Sequence, residues 1–218
     1  MATTSELVRT TVGQKLLLAA TGIVLFLFVV GHLLGNLQIY RGPEALNAYA
    51  AFLHANPGPL WVARLLLLFS VGVHIVYAVR LAWRNWRTRP VSYARRRYRA
   101  ADPAARSMIF TGPVIAAFVM YHLAHLTFGR VHPDFVSADV YHNVVAGFRV
   151  PLVAALYIVA NILLALHLYH GLWSLTQTFG LAHRRWDGLR RGVATVIAAA
   201  IGLGNVSIPL AVWLELVR

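Results

Sequence analysis

The chain has 218 residues, 59% of them hydrophobic and 12% charged, and a mean hydropathy of +0.63. Soluble domains run at about 45–50% apolar and about 25% charged, so composition excludes an ordinary globular core and points to the bilayer. The absence of cysteine excludes disulfides, iron–sulfur ligation and thiolate metal sites within the chain. A net charge of +13 would suggest nucleic acid in a soluble protein, but here the arginines cluster between apolar runs, where they orient a membrane protein.

Residues 1–15 are polar and the first apolar run is too long for a signal-peptide core, so Met1 is expected to stay. Five stretches then approach the roughly 20 apolar residues that cross a bilayer about 30 Å thick. Leu16–Leu37 has no Arg, Lys, Asp or Glu, and Trp61–Trp83 carries only Arg64 and Arg80, near its ends. Met108–Phe128, Val150–Phe179 and Val193–Leu214 carry none. Backbone facing lipid must satisfy its own hydrogen bonds, so all five runs are predicted as helices. Gly42-Pro43 and Asn56-Pro57-Gly58-Pro59 interrupt the first outer segment, and Arg89-Pro90 breaks the connection after the second span. Pro151 suits the first turn of the fourth helix, and Pro209 is expected to kink the fifth near its end. The expected architecture is an all-α integral membrane domain over 1–218, with spans at about 16–37, 61–83, 108–128, 150–179 and 193–214.

Residues 1–15, 80–106 and 183–191 hold 15 of the 20 Lys and Arg residues. Lys and Arg favour the cytoplasmic side, so the N-terminus is expected in the cytoplasm and the C-terminus outside. The run Arg95-Arg96-Arg97 reads as topogenic charge, or as a contact for a soluble partner or anionic lipid.

Six of the ten histidines lie in the spans: His32, His74, His122, His125, His167 and His170. Titratable side chains are costly in hydrocarbon, and six in four helices mark function. Helices one and three run outward, with His32 and His122 towards their outer ends; helices two and four return, with His74 and His167 in their inner halves. Parity thus sorts four histidines into an outer and an inner pair. A local repeat agrees, because Phe28-Val29-x-x-His32-Leu33 matches Phe118-Val119-x-x-His122-Leu123.

A structural zinc site would want four protein ligands at one depth. Two imidazoles per level on facing helices instead suit a porphyrin iron, and two axial imidazoles leave no open position, which favours electron transfer over oxygen chemistry. A proton relay would be expected to recruit buried Asp or Glu, and the spans contain none. Gly31, Gly35 and Gly171 near these histidines would admit either a flat macrocycle or a close helix. His125 and His170 lie one turn beyond His122 and His167, and spacing alone leaves either member of each couple as ligand; the repeat favours His122. Arg64, Gln38, Glu44, Gln14 and Lys15 lie at span ends, where propionate, quinone or proton contacts are possible. His54, His132, His142 and His183 fall in connections and read as solvated surface residues.

The segments Gly31-His32-Leu33-Leu34-Gly35-Asn36-Leu37, Tyr121-His122-Leu123 and His167-Leu168-Tyr169-His170-Gly171-Leu172-Trp173-Ser174 resemble the cytochrome b membrane anchor of succinate dehydrogenase and fumarate reductase, of the single-chain, five-helix, di-haem type. The resemblance covers nearly the whole chain. It implies that His32 and His122 bind the iron of the outer b haem, that His74 and His167 bind that of the inner one, and that His125 and His170 are not ligands. It further implies flavoprotein and iron–sulfur partners on the cytoplasmic face, menaquinone or ubiquinone as substrate, and a place in the inner membrane, in electron transport and the tricarboxylic acid cycle. Dicarboxylate chemistry would belong to a partner subunit. The alternatives are a di-haem cytochrome of a hydrogenase or formate dehydrogenase, and a haem-free transporter or assembly protein.

Overall fold

The computed structural model describes residues 10–88 and 103–218; Arg89-Pro90, Arg95-Arg96-Arg97 and Met1 lie outside the described residues. Seven α-helices occur among the described residues: α1 (Thr11–Asn36), α2 (Pro43–Ala55), α3 (Pro57–Arg87), α4 (Pro103–His122), α5 (Val140–Phe148), α6 (Pro151–Thr178) and α7 (Asp187–Trp213). Short 3-10 turns follow α1 (Leu37–Arg41) and precede α7 (Arg184–Trp186), and a π-turn, Leu123–Thr127, extends α4.

Five of these helices, α1, α3, α4, α6 and α7, are long and apolar enough to cross a membrane, and most of their apolar surface faces outward rather than into the bundle. Leu68, Phe69, Leu152 and Leu203 are each at least two-thirds exposed. A surface of that kind is stable in lipid and not in water, so the chain is a multi-pass membrane protein. Some helices overrun their apolar stretches: α1 begins at Thr11, ahead of the run that opens at Leu16, and α3 extends from Pro57 to Arg87, whereas α6, Pro151–Thr178, stays within its run. Hydropathy marks the hydrocarbon layer, whereas the helix continues into the interface until a cap or a breaker stops it. At the start of α1 the Thr10 hydroxyl accepts from the Gly13 N–H at 3.0 Å. Prolines begin α2, α3 and α6, where the missing N–H costs nothing. Gly42, at φ +95°, separates the first 3-10 turn from α2 in a conformation that favours glycine. Pro209 sits fully buried inside α7, which runs on to Trp213.

Packing follows chain order. α1 lies against α3, α4 against α6, and α7 against α6, while α1 and α6 join the two hairpins. α6 and α7 approach closely because Gly202 has no side chain; a Cβ there would stand 2.8 Å from the Ala165 Cβ. At the end of the bundle near His32 and His122, the end expected outside and called outer below, the segments between spans are ordered rather than open loops. α2 and α5 cap that end, tied by Asn47, whose amide donates to Asp139 Oδ1 at 2.9 Å and whose carbonyl accepts from the Tyr141 N–H at 3.0 Å. Beneath this cap lies the main buried cluster, including Ile39, Leu46, Val145, Phe148, Tyr157 and Val212.

Candidate functional site

The structure brings four of the six membrane histidines together in two pairs. His32 of α1 faces His122 of α4 with ring centroids 5.8 Å apart, and His74 of α3 faces His167 of α6 at 6.4 Å. Each pair draws one ring from each hairpin. His125 instead stacks on His132 at 4.8 Å, and His170 lies edge-on to Trp173 at 6.1 Å. Geometry therefore separates the neighbours that spacing left open.

The vertical spacing of the pairs can be counted along three helices. On α1, the inner level is marked by Thr21, which touches His74, and the outer by His32. On α4 the corresponding residues are Thr111 and His122, and on α6 they are His167 and Tyr157. Eleven, eleven and ten residues at about 1.5 Å each put the two levels about 15–17 Å apart.

Hydroxyls hold the rings. His74 Nδ1 lies 3.3 Å from Thr21 Oγ1, and His167 Nδ1 lies 3.2 Å from Thr111 Oγ1. The Thr21 hydroxyl hydrogen is already committed to its own helix, donating to the Leu17 carbonyl at 2.8 Å. Its oxygen is then free to accept, so the proton of His74 sits on Nδ1 and the lone pair on Nε2. At the outer level Tyr157 Oη lies 3.3 Å from His122 Nδ1 and 3.0 Å from His125 Nδ1. Phe28 stacks on His32 at 5.2 Å. Glycines lie beside both inner rings: a Cβ on Gly22 would stand 3.4 Å from His74 Cε1 and one on Gly112 4.0 Å from His167 Cε1, ordinary contact distances.

This donor set fits a bis-imidazole porphyrin iron. Two rings bound through Nε2 at about 2 Å on opposite sides of one metal would have centroids about 6 Å apart, close to both observed separations. Nδ1 is occupied by a hydroxyl in three of the four rings, as is usual when the other nitrogen ligates. Among the described residues no three His, Cys, Asp or Glu side chains converge on one point, so a metal held by protein alone lacks its ligands there.

Sequence reasoning missed the three hydroxyl residues. The signal for two of them was present: Thr21-Gly22 and Thr111-Gly112 are 90 residues apart, the same offset as His32 and His122. Tyr157, inside an apolar helix, gave no such signal.

The remaining candidates are more dispersed. The Arg64 guanidinium lies over the Trp61 ring at 5.1 Å, an interfacial contact. The Gln38 carbonyl accepts from Arg41 at 3.0 Å, Glu44 lies in the first turn of α2, and Gln14 and Lys15 lie in the first turns of α1. His54 is exposed and, among the described residues, bonds its own helix at the Ala50 carbonyl, 2.8 Å away. His183 caps the turn before α7, accepting from the Arg185 N–H. His142 contacts Asp134 at 3.0 Å at the surface. His132 departs from the expected solvated residue. It is partly buried, accepts from the Asp134 N–H at 3.0 Å and donates to the Asn143 carbonyl at 2.7 Å, because the ordered outer loop folds it onto His125.

No family model matches the chain, and no solved structure matches it significantly. The chain is similar to the succinate dehydrogenase cytochrome b558 subunit of Bacillus subtilis (strain 168), 25% identical over 160 residues, which span 71% of this chain and 73% of that protein. That relative is a protein of the kind the histidine motifs resemble, a succinate dehydrogenase cytochrome b subunit.

Proposed function

We propose that the chain is the membrane cytochrome b subunit of a succinate dehydrogenase or fumarate reductase, a component of an oxidoreductase complex rather than the site of its dicarboxylate chemistry. It would act as one membrane domain in the cytoplasmic membrane, N-terminus inside. The observation that carries the reading is the pairing of four imidazoles at two depths, each pair spaced for one iron.

In this reading His32 and His122 hold the outer b haem, and His74 and His167 the inner one. Bound there, the haems supply one-electron ferric/ferrous couples that let charge move between a cytoplasmic iron–sulfur partner and quinone in the membrane. The chain's own part is positional. Thr21 and Thr111 orient the inner rings, Tyr157 meets His122, and the apolar spans exclude water from both levels. One charge crossing the about 15 Å between levels traverses about half the hydrocarbon, worth about 1 kcal/mol per 100 mV of membrane potential. Arg84 and Arg87 at the end of α3, with Arg184 and Arg185 before α7, are exposed at the end assigned to the cytoplasm, where the flavoprotein and iron–sulfur subunits would dock.

Affinity purification through this chain, from a mild detergent extract, tests the reading. A flavin-containing and an iron–sulfur subunit are expected to accompany it, and succinate is expected to reduce its b haem. Recovery with hydrogenase or formate dehydrogenase subunits, or a preparation without b-haem absorbance, would overturn it.

A further inference from the structure

The residue that the histidine pairing does not absorb is Tyr157. It is 4% exposed, and its ring is held edge-on by Phe118 at 4.9 Å and Phe148 at 4.8 Å. Its hydroxyl therefore cannot swing away, and it sits between two imidazole nitrogens, those of His122 and His125.

We propose that Tyr157 is the positioning residue of the outer level: its hydroxyl, shared between His122 and His125, fixes the ring and tautomer of His122 and thereby sets the outer haem's potential apart from the inner one's. The inference rests on the proposed function and adds to it.

A phenol has one hydrogen and faces two Nδ1 atoms, so it donates to one and accepts from the other. If His122 offers Nε2 to iron, its Nδ1 carries the hydrogen and donates to Tyr157 Oη. The phenol hydrogen then goes to His125 Nδ1, and the observed lengths agree, with the O–H bond the shorter at 3.0 Å against 3.3 Å. A hydroxyl that donates is a better acceptor, so His125 strengthens the pull of Tyr157 on the His122 N–H. That pull makes the imidazole a stronger donor and favours ferric iron.

His125 can serve as this anchor because it is itself immobile. It has no exposed surface and stacks on Tyr121 as well as on His132. The inner level uses the same logic with a different acceptor: Thr21 passes its hydrogen to a backbone carbonyl, whereas Tyr157 passes its own to a side chain. The two levels are thus tuned by separate residues.

The test is redox titration of the purified complex carrying Tyr157→Phe, followed by the b-haem absorbance and the low-spin electron paramagnetic resonance signals. The outer haem's potential is expected to rise by up to the equivalent of a tenfold change in the ferric-to-ferrous binding ratio, about 59 mV for one electron, with its resonance shifted and the inner haem unmoved. Loss of the outer haem alone would also support the assignment. Both haems retained with both potentials and signals unchanged would overturn it. Should that variant not assemble, His125→Leu keeps Tyr157 but removes the partner of its hydrogen, and is expected to move the same potential upward by less; no movement would again overturn the inference. A parent complex lacking two b haems would sink the proposed function, whereas an intact parent with an unresponsive variant sinks this inference alone.

Discussion

Gly147, at the end of α5, is where the outer cap meets the buried histidines. An alanine Cβ there would stand 2.6 Å from His125 Cε1, 2.9 Å from His125 Nε2 and 3.2 Å from His132 Nε2. Ordinary contacts of this kind lie at about 3.5–4.0 Å, so the shortfall is about 1 Å and something must move. His125 cannot yield freely, being fully buried, bonded to Tyr157 and stacked on His132. Overpacking of this type costs about 1–3 kcal/mol, and the lower entropy of an unfolded alanine chain returns about 0.4–1 kcal/mol. Gly147→Ala should therefore destabilise by about 1–2 kcal/mol and displace His125 from Tyr157. Thermal unfolding in detergent should show a lower midpoint, by about 2–4 °C for each kcal/mol, while Gly192→Ala, with nothing within 4 Å of its added carbon, should show none of this. The outer haem's signal should shift and the inner one's should not. A Gly147→Ala protein as stable as the parent, with an unaltered spectrum, would refute the packing of His125 described above.

Thr21→Val keeps the shape of the side chain but removes the acceptor of the His74 N–H, so redox titration should find the inner haem's potential raised by up to about 59 mV and the outer one unchanged. Asp139, outside the spans, is held below the usual carboxylate range, first by the His142 backbone N–H and then by the Asn47 amide. A depressed folded-state value stabilises above the unfolded value and is lost as pH falls through the folded one. Unfolding followed between about pH 5 and pH 2 should therefore show an acid-side loss of stability that Asp139→Asn reduces.

The spans and the four paired histidines were legible because both carry a large cost in lipid: an interrupted apolar run cannot cross, and an imidazole in hydrocarbon needs a reason to be there. The helix ends were less so, since Thr10, Gly42 and the prolines, rather than hydropathy, decide where α1 to α3 begin and stop. α2 and α5 were hidden inside segments read as connections, although Pro43 and the capping Asp139, which accepts from the His142 N–H at 2.9 Å, are local signals for them. That cap is also why His132 is partly buried rather than solvated. Tyr157 was beyond reach, because a lone tyrosine in an apolar helix shows its importance only once α6 is packed on α4.

The two-tier histidine pairing is tested by quantifying haem per chain in the purified complex, for the parent and for His74→Ala. Two b haems per chain are expected in the parent, one in His74→Ala with the outer haem's spectrum preserved, and two in a His54→Ala control. A parent with a single haem or none, or a His74→Ala protein that keeps both, would contradict it.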